Sequence, residues 1–137
     1  KKMSKSDVSD LSRINLTDTK DQIINKIKKA KTDTLPLPSS TEELNKRPEA
    51  LNLIGIFSSL NNCLLEETIK TFSGKNFSDF KNSLSQLVVD KIDPISKEIR
   101  KLLNESSYLD QILFDGSKKA QEIASQKIKK IHELVGF

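Results

Sequence analysis

A chain of 137 residues is long enough for one domain of ordinary size. With 35% hydrophobic and 31% charged residues, no Trp, four Gly and four Pro, it is too lean in apolar and turn-forming residues for a sandwich, a barrel or a Gly-looped doubly wound fold. The formal net charge of +4 is lodged in the first quarter: residues 1–33 hold nine Lys or Arg against five Asp, and the other 104 residues hold fourteen of each sign.

That balance admits a polyanionic partner such as nucleic acid or nucleotide, and equally a solvated basic helix face. Cys63 and His132 are single, which excludes a disulfide framework and a Cys/His metal cluster. No stretch approaches the ~20 consecutive apolar residues of a membrane helix, and the basic start has no apolar segment behind it to make a secretory signal. The composition therefore reads as cytoplasmic, with no membrane partner. The chain opens on Lys1-Lys2-Met3-Ser4, as expected of a fragment or a processed chain.

In chain order, residues 1–17 show no helical period and read as a loop with a short extended stretch, Arg13-Ile14-Asn15-Leu16. Thr19 with Gln22 forms a capping box for a first helix, whose Ile23, Ile24, Ile27 and Ala30 share a face out to about Thr32 while Lys26, Lys28, Lys29 and Lys31 crowd the rest. Pro36 and Pro38 break helix formation, so residues 34–41 read as a linker or ordered loop. Pro48 suits a first helical position, and Leu51, Leu53, Ile54, Ile56, Phe57 and Leu60 make the next helix the expected centre of the core, ending at Asn61-Asn62. A short helix carries Leu65, Ile69 and Phe72 to a stop at Gly74.

Helical spacing then runs from Phe77 through Leu102, and Pro94 inside it predicts a kink or break between residues 89 and 93. A short helix with Tyr108, Leu109, Ile112 and Leu113 is expected to end at Asp115-Gly116. A last one places Ala120, Ile123, Ala124, Ile128, Ile131, Leu134 and Val135 inward and closes at Gly136. The fold class is all-α, an irregular helical bundle of about six helices.

The chemistry-bearing string is Lys2-Met3-Ser4-Lys5-Ser6, the KMSKS signature of class I aminoacyl-tRNA synthetases. Amino-acid activation displaces pyrophosphate from ATP and builds negative charge on the phosphates. Two ammonium groups three residues apart, with hydroxyl and backbone donors between them, can close over that charge as a mobile loop. A basic tail is the competing reading of those five residues alone.

The downstream sequence extends the likeness. Asp7, Ser12-Arg13-Ile14-Asn15-Leu16, Asp18, Lys26-Ile27, Ala30 and Thr32-Asp33 resemble the segment after KMSKS in bacterial tryptophanyl-tRNA synthetases. Arg47-Pro48-Glu49 with Asn52-Leu53 and Ile56-Phe57 looks like that family's Pro-Glu and Asn-Leu-Leu helix. Phe80-Lys81, Leu84, Pro94-Ile95, Leu109-Asp110, Leu113, Gly116 and Lys119-Ala120 follow in the family's order. The resemblance covers the whole chain. Val8, Ser117 and Phe57 depart from the family's usual Pro, Ala and Tyr, which touches packing and loop stiffness rather than the lysines. The chain has no HIGH-type motif, and the nucleotide-binding Rossmann half and tryptophan pocket are missing from it.

The resemblance implies the C-terminal fragment of a synthetase that joins L-tryptophan to tRNA(Trp) through an adenylate, with ATP and Mg2+ as the substrate complex and no bound cofactor in the fragment. Lys2 and Lys5 would be the catalytic lysines, and Lys2, Met3, Ser4, Lys5 and Ser6 the ATP-binding loop. Residues 1–17 would be the loop and tail of the catalytic domain, expected to be mobile here, and residues 18–137 the tRNA anticodon-binding domain. Lys118, Lys119, Lys127 and Lys130 are the candidate tRNA contacts, a solvated helix face being the other reading. The fragment alone is expected to be inactive and the full-length enzyme a cytoplasmic homodimer. Two rivals remain: a fragment of a tyrosyl-tRNA synthetase, which the helical C-terminal sequence disfavours, and a free-standing basic helical RNA-binding module.

Cys63 reads as a small half-buried turn residue and His132 as a surface residue. Glu42-Glu43 and Glu66-Glu67 sit where helix starts favour negative charge.

Overall fold

A computed structural model describes residues 9–136. Its elements are a 3₁₀ turn at Asp10–Ser12 followed by α1 (Lys20–Lys29), α2 (Thr41–Asn45), α3 (Pro48–Asn61), α4 (Leu65–Phe72), α5 (Phe77–Asn104) and α6 (Ser106–Val135). The fold is all-α, and among the described residues there is no strand. The chain divides after Lys97 into two compact units.

In the first unit the local signals act as their chemistry dictates. Thr19 and Gln22 form a reciprocal capping box: the Gln22 N–H donates to Thr19 Oγ1 at 3.3 Å and the Thr19 N–H to Gln22 Oε1 at 2.8 Å. Helix α1 stops at Lys29, short of Thr32, because its last carbonyls are claimed from outside. The Lys81 ammonium, on α5, donates to Ala30 O at 2.6 Å and Lys28 O at 3.3 Å. Burial pulls the Lys81 pKa below its ordinary value.

The proline segment is an ordered loop. Leu37 exchanges backbone hydrogen bonds with the 74–75 turn, donating to Lys75 O at 2.9 Å and accepting from Gly74 N–H at 3.0 Å. Arg47 donates to Asp33 Oδ2 at 2.9 Å and Pro36 O at 2.7 Å, and its guanidinium lies 5.6 Å from the Phe77 ring centre. The sequence marks only the start of helix α2, at Glu42-Glu43, and no apolar period extends it. It is one short turn that Ser40 caps by accepting from Glu43 N–H at 3.2 Å, and it exists to bury Leu44 completely.

Pro48 opens α3, and Asn62 ends it in the left-handed region at φ 52°. Glu67 caps α4 by accepting the Leu64 N–H at 3.2 Å. Gly74 follows α4 at φ 73°, a conformation that favours glycine. The core joins Ile23, Ile27, Leu44, Ile54, Ile69, Leu84 and Val88 to a ring cluster in which Phe72 meets Phe57 and Phe80 edge-on, each at 4.9 Å.

One expected boundary is narrowed and another corrected. Of the kink or break expected between residues 89 and 93, the break is absent: helix α5 is continuous through Pro94, in keeping with the helical spacing from Phe77 to Leu102. An internal proline costs ~3 kcal/mol, and contacts on both sides hold the helix against that cost. Val88 and Val89 are buried before it and Ser96 after it, while Asp93 accepts from Lys97 at 3.0 Å and pairs with Lys20 at 3.3 Å. Helix α6 runs through Gly116 without stopping, since a glycine there costs only about 1 kcal/mol relative to alanine, less than opening two helix ends.

In the second unit the inward placement of Ala120, Ile123, Ala124, Ile128, Ile131, Leu134 and Val135 is also corrected. All seven are exposed, and α6 buries no residue. Its closure at Gly136, φ 81°, is as the sequence indicates. The count of about six helices stands, with the expected stop at Asp115-Gly116 removed and α2 added.

Candidate functional site

Lys2, Met3, Ser4, Lys5 and Ser6 lie outside the described residues. The chain that follows them is described from Ser9. A polar cluster ties residues 10–18 to α1.

At its centre is Lys26. Helical geometry puts it beside Ile23, Ile27 and Ala30 on the inward face of α1, and the side chain is only 7% exposed. A buried ammonium is costly unless it is paired and hydrogen-bonded. Lys26 Nζ donates to Asp10 Oδ2 and to Asp18 Oδ2, each at 2.6 Å. Asp10 Oδ1 also accepts from Arg13 Nε and from Asn15 Nδ2, both at 3.0 Å. The Asn15 N–H donates to Asp18 Oδ2 at 2.8 Å, and the Asp18 N–H returns to Asn15 O at 3.0 Å.

The electrostatics follow from these partners. Burial pulls the Lys26 pKa down, but the hydrogen bonds to Asp10 and Asp18 outweigh it and the net shift is upward. Hydrogen bonds from Lys26 and then Asn15 hold Asp10 below the ordinary carboxylate range. Asp33 is lowered by the hydrogen bond from Arg47, and Asp93 by Lys97 and then Lys20.

Beneath the 10–14 segment lies a cavity of about 260 Å³ walled by Leu11, Ile14, Ile27, Leu53, Ile56 and Leu84, among others. Leu11, Ile14 and Leu16 are all exposed. The segment is therefore held by charge and hydrogen bonds more than by apolar burial.

By helical period Lys26 is one of the lysines crowding α1, and with Asp18 it belongs to the residues that carry the family resemblance; neither the period nor the resemblance pairs Lys26 with Asp10 and Asp18. The signal was present in the spacing. Residue 26 falls on the same face as 23, 27 and 30, so a lysine there requires acidic partners from outside the helix.

Lys118, Lys119, Lys127 and Lys130 are all exposed on α6. At about 100° per residue, Lys119 and Lys130 fall on one stripe, whereas Lys118 and Lys127 lie on opposite sides of the helix. Lys118 is also drawn over the Phe114 ring, at 4.8 Å. The four do not form one patch.

Cys63 is half-buried between α3 and α4, with Sγ 3.2 Å from Thr68 Oγ1, and His132 is exposed. Glu42, Glu43, Glu66 and Glu67 occupy the first turns of α2 and α4. Among the described residues no three His, Cys, Asp or Glu side chains gather to hold a metal, and no helix is long and apolar enough to cross a membrane.

Comparison with known proteins places these features in a family. The family model of tRNA synthetases class I (W and Y) matches residues 1–93. A tryptophan–tRNA ligase of Brucella melitensis is 47% identical over the whole chain, which covers 39% of that relative. The corresponding ligase of Caulobacter vibrioides is 48% identical over 99% of this chain and 40% of its own, and that of Rickettsia conorii 44% over 100% and 41%. The chain thus spans about two fifths of the length of the curated relatives it matches. With a family match over residues 1–93 that begins at the Lys2-to-Ser6 string, the chain belongs to the class I tRNA synthetases of the tryptophan and tyrosine group.

Proposed function

We propose that this chain is the phosphate-loop and helical part of a tryptophan–tRNA ligase. The observation that carries the reading is Lys2-Met3-Ser4-Lys5-Ser6 at the head of 137 residues that are 47% identical throughout to a tryptophan–tRNA ligase. In the whole enzyme the tryptophan carboxylate attacks the α-phosphorus of ATP, the bond to the bridging oxygen breaks and pyrophosphate leaves. The adenylate then passes its aminoacyl group to tRNA(Trp).

Charge accumulates on the departing phosphates, and ATP enters with Mg2+ as part of the substrate. Lys2 and Lys5 supply two further positive charges there, with Ser4 and Ser6 hydroxyls and the backbone at Met3 completing the loop. Lys5 is the principal stabiliser of the transition state. Residues 1–17 work with the catalytic half and residues 18–137 with tRNA. Lys119 and Lys130, about 16 Å apart along α6, meet phosphates, flanked by Lys118 and Lys127. The enzyme acts in the cytoplasm as a homodimer.

The test is isotopic exchange between pyrophosphate and ATP by the full-length gene product that carries this chain. Exchange that requires tryptophan and is not supported by tyrosine is expected; support by tyrosine instead would favour the tyrosine enzyme. The 137-residue chain alone is expected to give none, because the transition state is bound only when every contact is present. Tryptophan-dependent exchange by that chain would overturn the fragment reading. Lys5→Ala should slow adenylate formation with tryptophan affinity nearly intact.

A further inference from the structure

The Lys26 cluster does more than satisfy a buried charge. The segment it holds contributes no buried apolar residue, and it stands over a cavity of about 260 Å³. Core packing therefore gives the fold little reason to fix residues 10–18. Yet Lys26 fixes them at two points eight residues apart in the chain, Asp10 and Asp18, each at 2.6 Å. Apolar contact is non-directional and tolerates sliding. Two charge-assisted hydrogen bonds on one ammonium are short and strong, and they hold two separate points of the segment against α1.

What is fixed is the point from which the phosphate-loop sequence departs. Four residues separate Lys5 from Asp10, so five chain steps hold Lys5 within roughly 18 Å of the anchor at full extension.

We propose that Lys26, through Asp10 and Asp18, is a positioning residue for the phosphate-binding lysines, setting where the chain bearing Lys2 and Lys5 leaves the helical body. The proposal rests on the reading of Lys2 and Lys5 as phosphate ligands. Lys26 touches no substrate. It acts by fixing residues 10–18, to which the chain bearing Lys5 is joined, and misplacement of a catalytic group by about 1 Å lowers rate on the order of a hundredfold.

The experiment is pyrophosphate exchange on the full-length protein, normalised to titrated active sites, for Lys26→Met, Asp10→Asn, Lys5→Ala and the Lys5→Ala/Lys26→Met double variant. Asp10→Asn keeps the hydrogen-bonding shape at a half-exposed partner, so it reports even where Lys26→Met fails to fold. Each single variant at the anchor should lower kcat about tenfold and raise the KM for ATP, with the KM for tryptophan changed less than about twofold. In the double variant the Lys26→Met effect should largely vanish, because Lys26 then has no Lys5 to position.

Full additivity in the double variant would overturn the proposal, as would a loss confined to the titre of active sites or one shared equally between the two substrates. Where Lys26→Met gives no folded enzyme, an Asp10→Asn protein with unchanged kcat and unchanged KM for ATP overturns it. Absence of tryptophan-dependent exchange in the unsubstituted protein would instead remove the ligase reading, and the positioning role with it.

Discussion

The two units use the same periodic code and reach opposite ends. In residues 9–97 the apolar faces of α1, α3, α4 and α5 close on a core of buried Ile, Leu, Val and Phe side chains. In residues 98–136 a face of the same spacing, with Ile123, Ile128, Ile131 and Leu134, remains exposed. Periodicity therefore reports that a helix has an apolar side, and says nothing of what covers it. For a chain that spans about two fifths of its relatives' length, an uncovered face is a physical property of the segment, not a failure of the pattern.

The sharpest way to break this contrast is to remove a large side chain from each unit and follow urea unfolding. Phe80 is 0% exposed and sits against Phe57 and Phe72. Phe80→Ala should cost about 3–5 kcal/mol, whereas Leu134→Ala, at a position 85% exposed, should stay within about 0.5 kcal/mol. Equal losses would show that the α6 face is covered in solution.

Next in size is the buried ion cluster. Asp18→Ala leaves the Lys26 ammonium short of its buried partner and should destabilise the first unit by about 3 kcal/mol. A change under about 1 kcal/mol would mean that water takes the carboxylate's place.

The pH dependence is a smaller effect with a defined sign. Asp10, Asp33 and Asp93 are lowered on folding, so their contribution is complete above the ordinary carboxylate range near pH ~4 and is lost as pH falls through their folded values. Lys26 is raised, so its contribution is complete below the ordinary lysine range near pH ~10.4 and is lost above its folded value. Lys81 is lowered by burial and acts in the opposite sense to Lys26 on the alkaline side, so the signed expectation is the acid limb: the urea midpoint of the 137-residue chain should fall as pH drops below the ordinary carboxylate range near pH ~4. Asp10→Asn should flatten part of the acid limb.

The smallest change expected belongs to the second unit. A Cβ at Gly116 meets nothing within 4 Å, and α6 is continuous there. Gly116→Ala should stabilise it by about 0.5–1 kcal/mol, seen as increased far-ultraviolet helical signal on heating. A decrease would show that the glycine admits a close neighbour.

Much of the fold was legible because its signals are local. The Thr19 and Gln22 box, Pro48 at the head of α3, the stops at Asn62, Gly74 and Gly136, and the acidic first turns of α2 and α4 each depend on residues within one turn. The misreadings are places where distant partners override local preference. Helix α1 ends where Lys81 donates to the Lys28 and Ala30 carbonyls, and α2 closes around Leu44. At the site, the phosphate-loop string was legible as a string. Its anchor was not, because Asp10 and Lys26 are sixteen residues apart and only folding brings them to 2.6 Å.

By itself the sequence determined the all-α class, most helix boundaries and the concentration of positive charge in the first quarter, since capping, proline geometry and charge are written residue by residue. Tertiary structure alone decided which apolar faces found partners and how residues 10–18 are fixed. Burial and ion pairing depend on which groups water is removed from, and that is settled only when chain segments far apart in sequence meet.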